Sequence, residues 1–141
     1  METLERLKSL SRPVPKPPSL PTEEDVKNAE EILNVKFPPS YVKYQLEYSD
    51  ILFGTYEPYQ LFENGSYTDL IKSVNEAREY GLPKHLLPVL EDNGDYFCFD
   101  LTSPAPEFKV NYWTHNGITN ENWGNFLDWV ENCWIGEHVW K

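Results

Sequence analysis

Residues Leu20–Gln45 read LPTEEDVKNAEEILNVKFPPSYVKYQ, a pattern that predicts two helices separated by a short break. Thr22 is a natural N-cap, and the three acidic residues that follow it lie where the helix dipole favours negative charge. Apolar residues then recur at helical spacing until Asn34, which can end a helix in a left-handed turn. Pro38-Pro39 can begin the next helix, whose tyrosines share one face. We therefore expect an acidic helix followed by a tyrosine-rich one.

A second stretch, Leu87–Asp100, reads LPVLEDNGDYFCFD and predicts a β-hairpin. Its two apolar runs, Leu86–Leu90 and Tyr96–Leu101, flank Asn93-Gly94, which is the strongest short-range signal for a hairpin turn. Farther along the chain, Glu107–Thr114 alternates apolar and polar residues, as a half-buried strand does. Together these patterns predict a largely antiparallel sheet.

The segments around these two stretches predict additional helices and short strands. Residues 2–10 fit a short helix, the segment Ser11–Pro21 holds five prolines, and Thr68–Tyr80 fits a third long helix. Short strands are expected at Ile51-Leu52-Phe53 and at Tyr59-Gln60-Leu61-Phe62. We expect an N-terminal short helix and proline-rich arm over residues 1–21 and a single domain over residues 22–141.

The C-terminal segment predicts a closing helix that Asn120 caps. Its apolar residues keep helical spacing, and we expect them to form a core stripe: Trp123, Phe126, Leu127, Val130 and Trp134. The order of the elements favours the α+β class, with a largely antiparallel sheet against which N-terminal helices and the closing C-terminal helix pack.

In this order and at this separation, the two quoted stretches resemble the SUKH superfamily, which includes the yeast cell-wall (glucan) synthesis regulators. The chain departs from the family pattern at Asn34, where a glycine is usual, and at Ser49–Gly54, where an Asn-Gly pair is usual. The resemblance implies a SUKH-like fold and, because bacterial members are mostly immunity proteins, toxin neutralisation. It spans about residues 20–134 and rests on Glu24, Glu30, Ile32, Leu33, Phe37-Pro38, Ser40-Tyr41, Pro88-Val89, Asn93-Gly94-Asp95, Asp100, Trp123 and Phe126-Leu127.

The net charge of −11 is unevenly distributed. Residues 1–43 hold seven acidic and seven basic residues, whereas residues 44–141 hold sixteen acidic and five basic ones. Such a surface repels nucleic acid and anionic lipid and attracts a basic partner. An excess of acid also serves solubility, so the charge alone does not decide between the two explanations.

The sequence contains no pattern typical of catalysis or of metal binding. Cys98 and Cys133 lie in apolar, aromatic settings that predict buried free thiols, and the three histidines share no ligand spacing. Asp92, Asp95 and Asp100 could act as acid–base pairs, but turn chemistry explains the first two better. We expect no enzymatic activity, no cofactor and no metal site.

No apolar run approaches the length of a membrane span, and the first residues lack the apolar core of a signal peptide. The expectation is a soluble cytoplasmic protein, monomeric, with no membrane partner and no direct nucleic-acid partner.

The leading hypothesis is an immunity protein that binds and occludes a cognate toxin domain with a basic active site, such as a nuclease. Loop aromatics beside carboxylates could anchor such a partner, or each could pack down on the core as a lid. The alternative is a non-enzymatic intracellular interaction or regulatory module of the cell-wall regulator type, which would use the proline-rich arm. The predicted partner-binding residues are Glu47, Asp50, Tyr56, Glu57, Tyr59, Glu63 and Asp69, and then Asp92 and Asp95.

Overall fold

The computed structural model describes residues 2–12, 19–61, 65 and 68–139, and it confirms the α+β class. Within these residues a four-stranded antiparallel sheet, in the order β1-β2-β3-β4, packs one face against both the N-terminal and the C-terminal helices. The elements are α1 Glu2–Ser9, α2 Glu23–Leu33, α3 Pro39–Glu47, α4 Leu70–Glu79, β1 Leu86–Asp92, β2 Asp95–Asp100, β3 Lys109–Thr114, β4 Gly117–Trp123, α5 Phe126–Trp129, a π-helical turn Val130–Ile135 and α6 Gly136–His138.

The predicted ends of α2 and the start of α3 are confirmed by their capping. Thr22 accepts a hydrogen bond from the backbone N–H of Asp25, and the Asp25 carboxylate accepts one from the Thr22 backbone in return. Asn34 ends α2 in the left-handed conformation, with φ of 52°. Pro39 occupies the first position of α3, where its missing N–H costs nothing.

The predicted hairpin at Asn93-Gly94 is also confirmed. Both residues have positive φ, 52° and 91°, as a two-residue hairpin turn with matched twist requires. The turn pairs Asp92 with Asp95 at the end of the β1–β2 ladder.

The main core lies on one face of the sheet. Strand alternation turns Phe97 and Phe99 toward this face, where Tyr41 of α3 meets Phe99 edge to face at 5.0 Å. A smaller cluster on the opposite face contains Tyr96, Cys98 and Trp113 together with Ala77 of α4 and two leucines, Leu82 and Leu86. Cys98 and Cys133 are buried free thiols, as predicted.

Helix α1 packs into the same core as the rest of the chain. Leu4 and Leu7 are fully buried, and α1 contacts the π-helical turn, where Arg6 forms an ion pair with Glu131. The Tyr48 hydroxyl donates a hydrogen bond to Glu5, which ties α1 to the end of α3 as well.

The expected closing helix was wrong at its start. Asn120 lies in the edge strand β4 and Trp123 is its last residue, half-buried at 5.7 Å from the Phe97 ring. Gly117, with φ of 115°, turns the chain so that β4 pairs with β3, and this pairing overrides the helical spacing. Asn125 caps α5 instead and accepts from the Asp128 N–H at 2.8 Å. Trp129, fully buried, takes the central core position.

The two short strands expected near residues 51–62 were also wrong. In the described part of this segment, isolated bridges pair Phe53 with Tyr56 and Gln60 with Asp69. Phe62 and the proline-rich residues 13–18 lie outside the described residues.

Candidate protein-binding surface

The loop that follows α3 is fixed against the sheet at the edge of β1. The backbone N–H of Tyr59 donates to the carbonyl oxygen of Val89 at 2.9 Å. Tyr56 lies stacked 6.1 Å from Trp129, and its ring also contacts Phe97 at 5.4 Å. Burial, followed by the charges of Cys133, Glu137 and Asp92, raises the pKa of Tyr56. The loop is therefore held beside the β1–β2 hairpin.

Four acidic residues lie where this loop reaches the hairpin turn, and we call Glu57, Glu91, Asp92 and Asp95 the acidic tip. Glu57 and Glu91 line one small pocket of about 170 Å³, together with Thr55 and Tyr59. Asp92 follows Glu91 in β1 and pairs directly with Asp95 in β2. Because neighbouring residues of a strand point to opposite faces, the tip presents carboxylates on both sides of the hairpin.

The carboxylates of Asp92 and Asp95 share the Tyr112 hydroxyl as a hydrogen-bond donor. The Tyr112 hydroxyl lies 3.3 Å from an oxygen of each, although it has a single proton to donate. Oδ1 of Asp95 is buried without a hydrogen bond in the described part of the chain, and the His115 ring nitrogen Nδ1 lies 3.4 Å away. Burial and these two carboxylates raise the pKa of Tyr112. One hydroxyl therefore cannot donate to both carboxylates at once.

Two predicted partner-binding aromatics are less exposed than expected. Tyr59 is only 3% exposed, because its backbone is bound on both sides: Gln45 Nε2 donates to its carbonyl oxygen at 2.8 Å. It belongs to the core, and its assignment as a surface anchor is corrected. Tyr56 is half-buried in its stack on Trp129, so only part of its ring faces solvent.

Asp69 is likewise corrected, because it is a buried helix cap that is 4% exposed. Its two carboxylate oxygens accept from the backbone N–H groups of Lys72 at 3.2 Å and Gly65 at 3.1 Å. The Asp69 carboxylate, which the sequence predicted on the surface, instead caps the N-terminus of α4. Glu63, the remaining carboxylate of that stretch, and the aromatics Tyr67 and Trp140 lie outside the described residues.

Glu47 and Asp50 lie at the end of α3, in a different setting from the acidic tip. Glu47 is exposed and pairs with Lys43 at 3.0 Å, one turn earlier in the helix. Asp50 is half-buried and adds to burial and Tyr41 in raising the pKa of Tyr44. The predicted acidic stretch is thus divided, and part of its charge is compensated locally.

The three hairpin aspartates do not form one catalytic group. Asp100 lies at the opposite end of β2 from Asp95, roughly 17 Å away at the rise of an extended strand. Burial raises the pKa of Asp100, but hydrogen bonds from Thr102 and Asn111 outweigh it and leave the pKa below its usual value. Asp100 therefore has a structural role in closing the turn after β2.

The described residues contain no group of three or more histidine, cysteine or acidic side chains placed to hold a metal ion. Among them, no helix combines the length and apolar character that crossing a bilayer demands.

The arrangement of α2, the break, α3 and the Asn-Gly-Asp hairpin agrees with the pattern read from the sequence, and a family model, SUKH_5 (SMI1-KNR4 cell-wall), matches residues 1–135. The chain belongs to this SUKH family. Its fold is similar to the crystal structure of a protein from Pseudomonas syringae pv. tomato, with 29% sequence identity and a TM-score of 0.84. The similarity covers 96% of this chain and 98% of that one. No curated protein matches the chain at a significant level.

Sequence reasoning missed one member of the acidic tip of this SUKH chain. Glu91 is exposed on β1 beside the turn, yet it was read only as part of the hairpin. The signal was present in the run Glu91-Asp92-Asn93-Gly94-Asp95, because a turn at its centre brings all three acids to one end of the hairpin.

Proposed function

We propose that this SUKH-family chain is a non-catalytic binding protein that neutralises a cognate toxin domain by covering its basic active site with the acidic tip. The observation that carries the proposal is the placement of four acidic residues from two segments at one end of the β1–β2 hairpin. Membership of the family supports a role in protein–protein interaction. The chain would act as a monomer in the cytoplasm of the cell that produces the toxin.

Electrostatics explains why such a tip suits such a partner. A nuclease site must hold phosphate and is therefore basic, so a rigid group of carboxylates can take the place of the polyanion. The hairpin and the anchored loop hold the acids before binding, which reduces the ordering cost of association. Attraction between the opposite potentials also speeds the encounter of the two proteins.

The test uses a toxin domain encoded immediately upstream of the gene for this chain, co-expressed with the chain in a sensitive host. We expect growth with the wild-type protein and loss of protection when the tip is neutralised by Glu57→Gln, Glu91→Gln, Asp92→Asn and Asp95→Asn. The matched control removes four exposed acids from α1 and α2, as Glu2→Gln, Glu23→Gln, Glu24→Gln and Glu31→Gln, and should still protect. Full protection by the tip variant, or no protection by the wild type, would contradict the proposal.

The family name, SMI1-KNR4 cell-wall, favours one other candidate, a regulatory interaction module for cell-wall synthesis. A strain that lacks the gene would then show altered sensitivity to a wall-degrading enzyme in the absence of any toxin. The immunity proposal predicts unchanged sensitivity in that strain.

A further inference from the structure

A groove lies between the end of α4 and the second face of the sheet, next to the acidic tip. Its volume is about 480 Å³, and Glu91 belongs both to this groove and to the tip. One wall comes from the last turns of α4, the other from β1, and the rim from the two hairpin turns. The lining residues are Glu76, Tyr80, Glu91, Gly94, Tyr96, Trp113 and His115.

The floor of the groove is aromatic. Tyr96 and Trp113 are paired across β2 and β3, with ring centroids 6.0 Å apart, and both remain slightly exposed on this side. Glu91 pairs with Tyr96 and Ile118 pairs with Trp113, so one row of side chains crosses all four strands on the same face. Ile118 is 53% exposed and continues the apolar surface toward β4.

Tyr80 at the end of α4 is the most unusual residue of this surface. It is 78% exposed, although large aromatic rings elsewhere in the described chain are mostly buried. It lies four residues after Glu76, on the same side of the helix, so a phenol ring and a carboxylate stand together above the floor. Exposed tyrosines beside a groove are frequent hot spots of protein interfaces.

The charge of the groove is negative. Glu76 and Glu91 face it from opposite walls, and no lysine or arginine lines it in the part of the chain that the structure describes. Burial raises the pKa of Tyr96 to about 12, with the carboxylates of Glu91 and Glu76 as further causes. These carboxylates therefore act on the same floor that the aromatic rings form.

We propose that this groove receives an arginine side chain of the protein partner, which stacks on the exposed ring of Tyr80 and donates hydrogen bonds to Glu76 and Glu91. A guanidinium is planar, weakly hydrated and carries five donors, so it matches an aromatic floor between two carboxylates better than an ammonium does. The inference rests on the proposed function for the identity of the partner. The site itself is defined without it.

The first experiment tests the site alone with blocked peptides of the form Gly-Gly-Arg-Gly-Gly and its lysine and citrulline analogues. We expect the arginine peptide to shift the NMR signals of the Trp113 indole and the Gly94 amide, and to bind several-fold more tightly than the lysine peptide. Citrulline keeps the shape and loses the charge, and it should leave these signals unchanged. Equal binding of all three peptides, or shifts confined to other residues, would overturn the proposal.

Variants of exposed residues separate the groove from general attraction to an acidic protein. Tyr80→Ala should weaken binding of the arginine peptide by about tenfold, which lies between the values for an exposed and a desolvated cation–π contact, and Tyr80→Phe should restore binding. Glu76→Gln should weaken it as well. Glu79→Gln removes one charge from the same turn of α4 outside the groove and should have little effect. An equal loss for Glu76→Gln and Glu79→Gln would show that only net charge matters.

The second experiment repeats the Tyr80 series with the toxin domain. If the groove holds an arginine of the toxin, Tyr80→Ala accelerates dissociation about tenfold while the salt dependence of association stays that of the wild type. Toxin binding that Tyr80→Ala leaves unchanged would overturn the proposal that the groove binds the toxin, and the acidic tip would remain as the interface. If the arginine peptide binds the groove but the protein neutralises no toxin, the proposed function is overturned and the arginine-binding site stands.

Discussion

Trp134 is joined to Phe53 by a hydrogen bond in which the indole Nε1–H donates to the backbone carbonyl oxygen at 2.9 Å. This bond holds the loop after α3 against the π-helical turn, and Tyr56 in the same loop lies against Trp129. The loop carries Glu57, so the tryptophans at the end of the chain position one of the carboxylates of the acidic tip. Trp129 differs from Trp134 in one respect: its buried Nε1–H has no acceptor among the described residues.

The two tryptophans form a matched pair for a stability test. Trp134→Phe and Trp129→Phe remove similar volume from fully buried positions, but only the first leaves a carbonyl without its donor. We expect Trp134→Phe to lower the free energy of unfolding by about 1–3 kcal/mol more than Trp129→Phe. Denaturant unfolding followed by circular dichroism measures the difference. Equal losses would mean that the Phe53 carbonyl finds another donor.

Leu7→Ala tests whether α1 belongs to the cooperative unit. Leu7 is fully buried in the main core, so its truncation should cost about 2–5 kcal/mol and lower the midpoint of the single unfolding transition. Arg6→Ala, which removes an exposed ion pair with Glu131, should cost less than about 1 kcal/mol. A separate early transition in the Leu7 variant would show that α1 unfolds independently of the rest.

Asn34→Ala should destabilise the protein by about 1–2 kcal/mol, because Asn34 holds a left-handed conformation that a Cβ without a local polar group disfavours. Asn34→Gly should be tolerated, since glycine reaches positive φ freely. Thermal unfolding of the two variants beside the wild type measures the contrast. A similar melting temperature for both would indicate that the chain relaxes at the end of α2.

Asp100→Asn should change how stability depends on pH. The pKa of Asp100 is lower in the folded chain than in the unfolded one, so its carboxylate stabilises the fold above the unfolded value of about 3.9 and loses this effect as the pH falls through the folded value. The variant should therefore be less stable at neutral pH and approach the wild type in strong acid. A gap that stays constant with pH would show that the charge of Asp100 is not responsible.

The last prediction concerns the acidic tip and the salt dependence of the association rate. Association with the toxin domain should slow steeply as the salt concentration rises, because screening shortens the reach of the field. Neutralising Glu57 and Glu91 should flatten this dependence, whereas neutralising Glu47 and Asp50 should flatten it less, since Lys43 already offsets Glu47. Stopped-flow kinetics at several salt concentrations would reveal the slopes. A slope equally affected by both pairs would assign the interface to the whole acidic surface.

Local signals in the sequence were sufficient for most of the fold. The cap at Thr22, the left-handed Asn34 and the turn at Asn93-Gly94 are each decided by residues within a few positions, and the structure confirms them. The strand that ends at Trp123 depends on pairing with β3, so its polar sequence carried no sign of it.

The surface was less predictable, because the exposure of a charge depends on long-range packing. Asp69 and Tyr59 were both expected on the surface, and only the packed structure shows that Asp69 is a buried cap of α4 and that Tyr59 lies in the core. Glu76 and Tyr80 lie at the end of α4 and Glu91 lies in β1, and only the position of α4 against the sheet brings the three residues to one groove.

The packing of α1 on the π-helical turn has a consequence for synthesis on the ribosome. Arg6 and Glu131 are separated by 125 positions, so α1 is synthesised well before the π-helical turn on which it packs. Until then Leu4 and Leu7 have no core to enter, and the nascent chain exposes them. Contacts this distant in sequence slow folding, and they leave a window in which chaperones or aggregation compete for the unfinished protein.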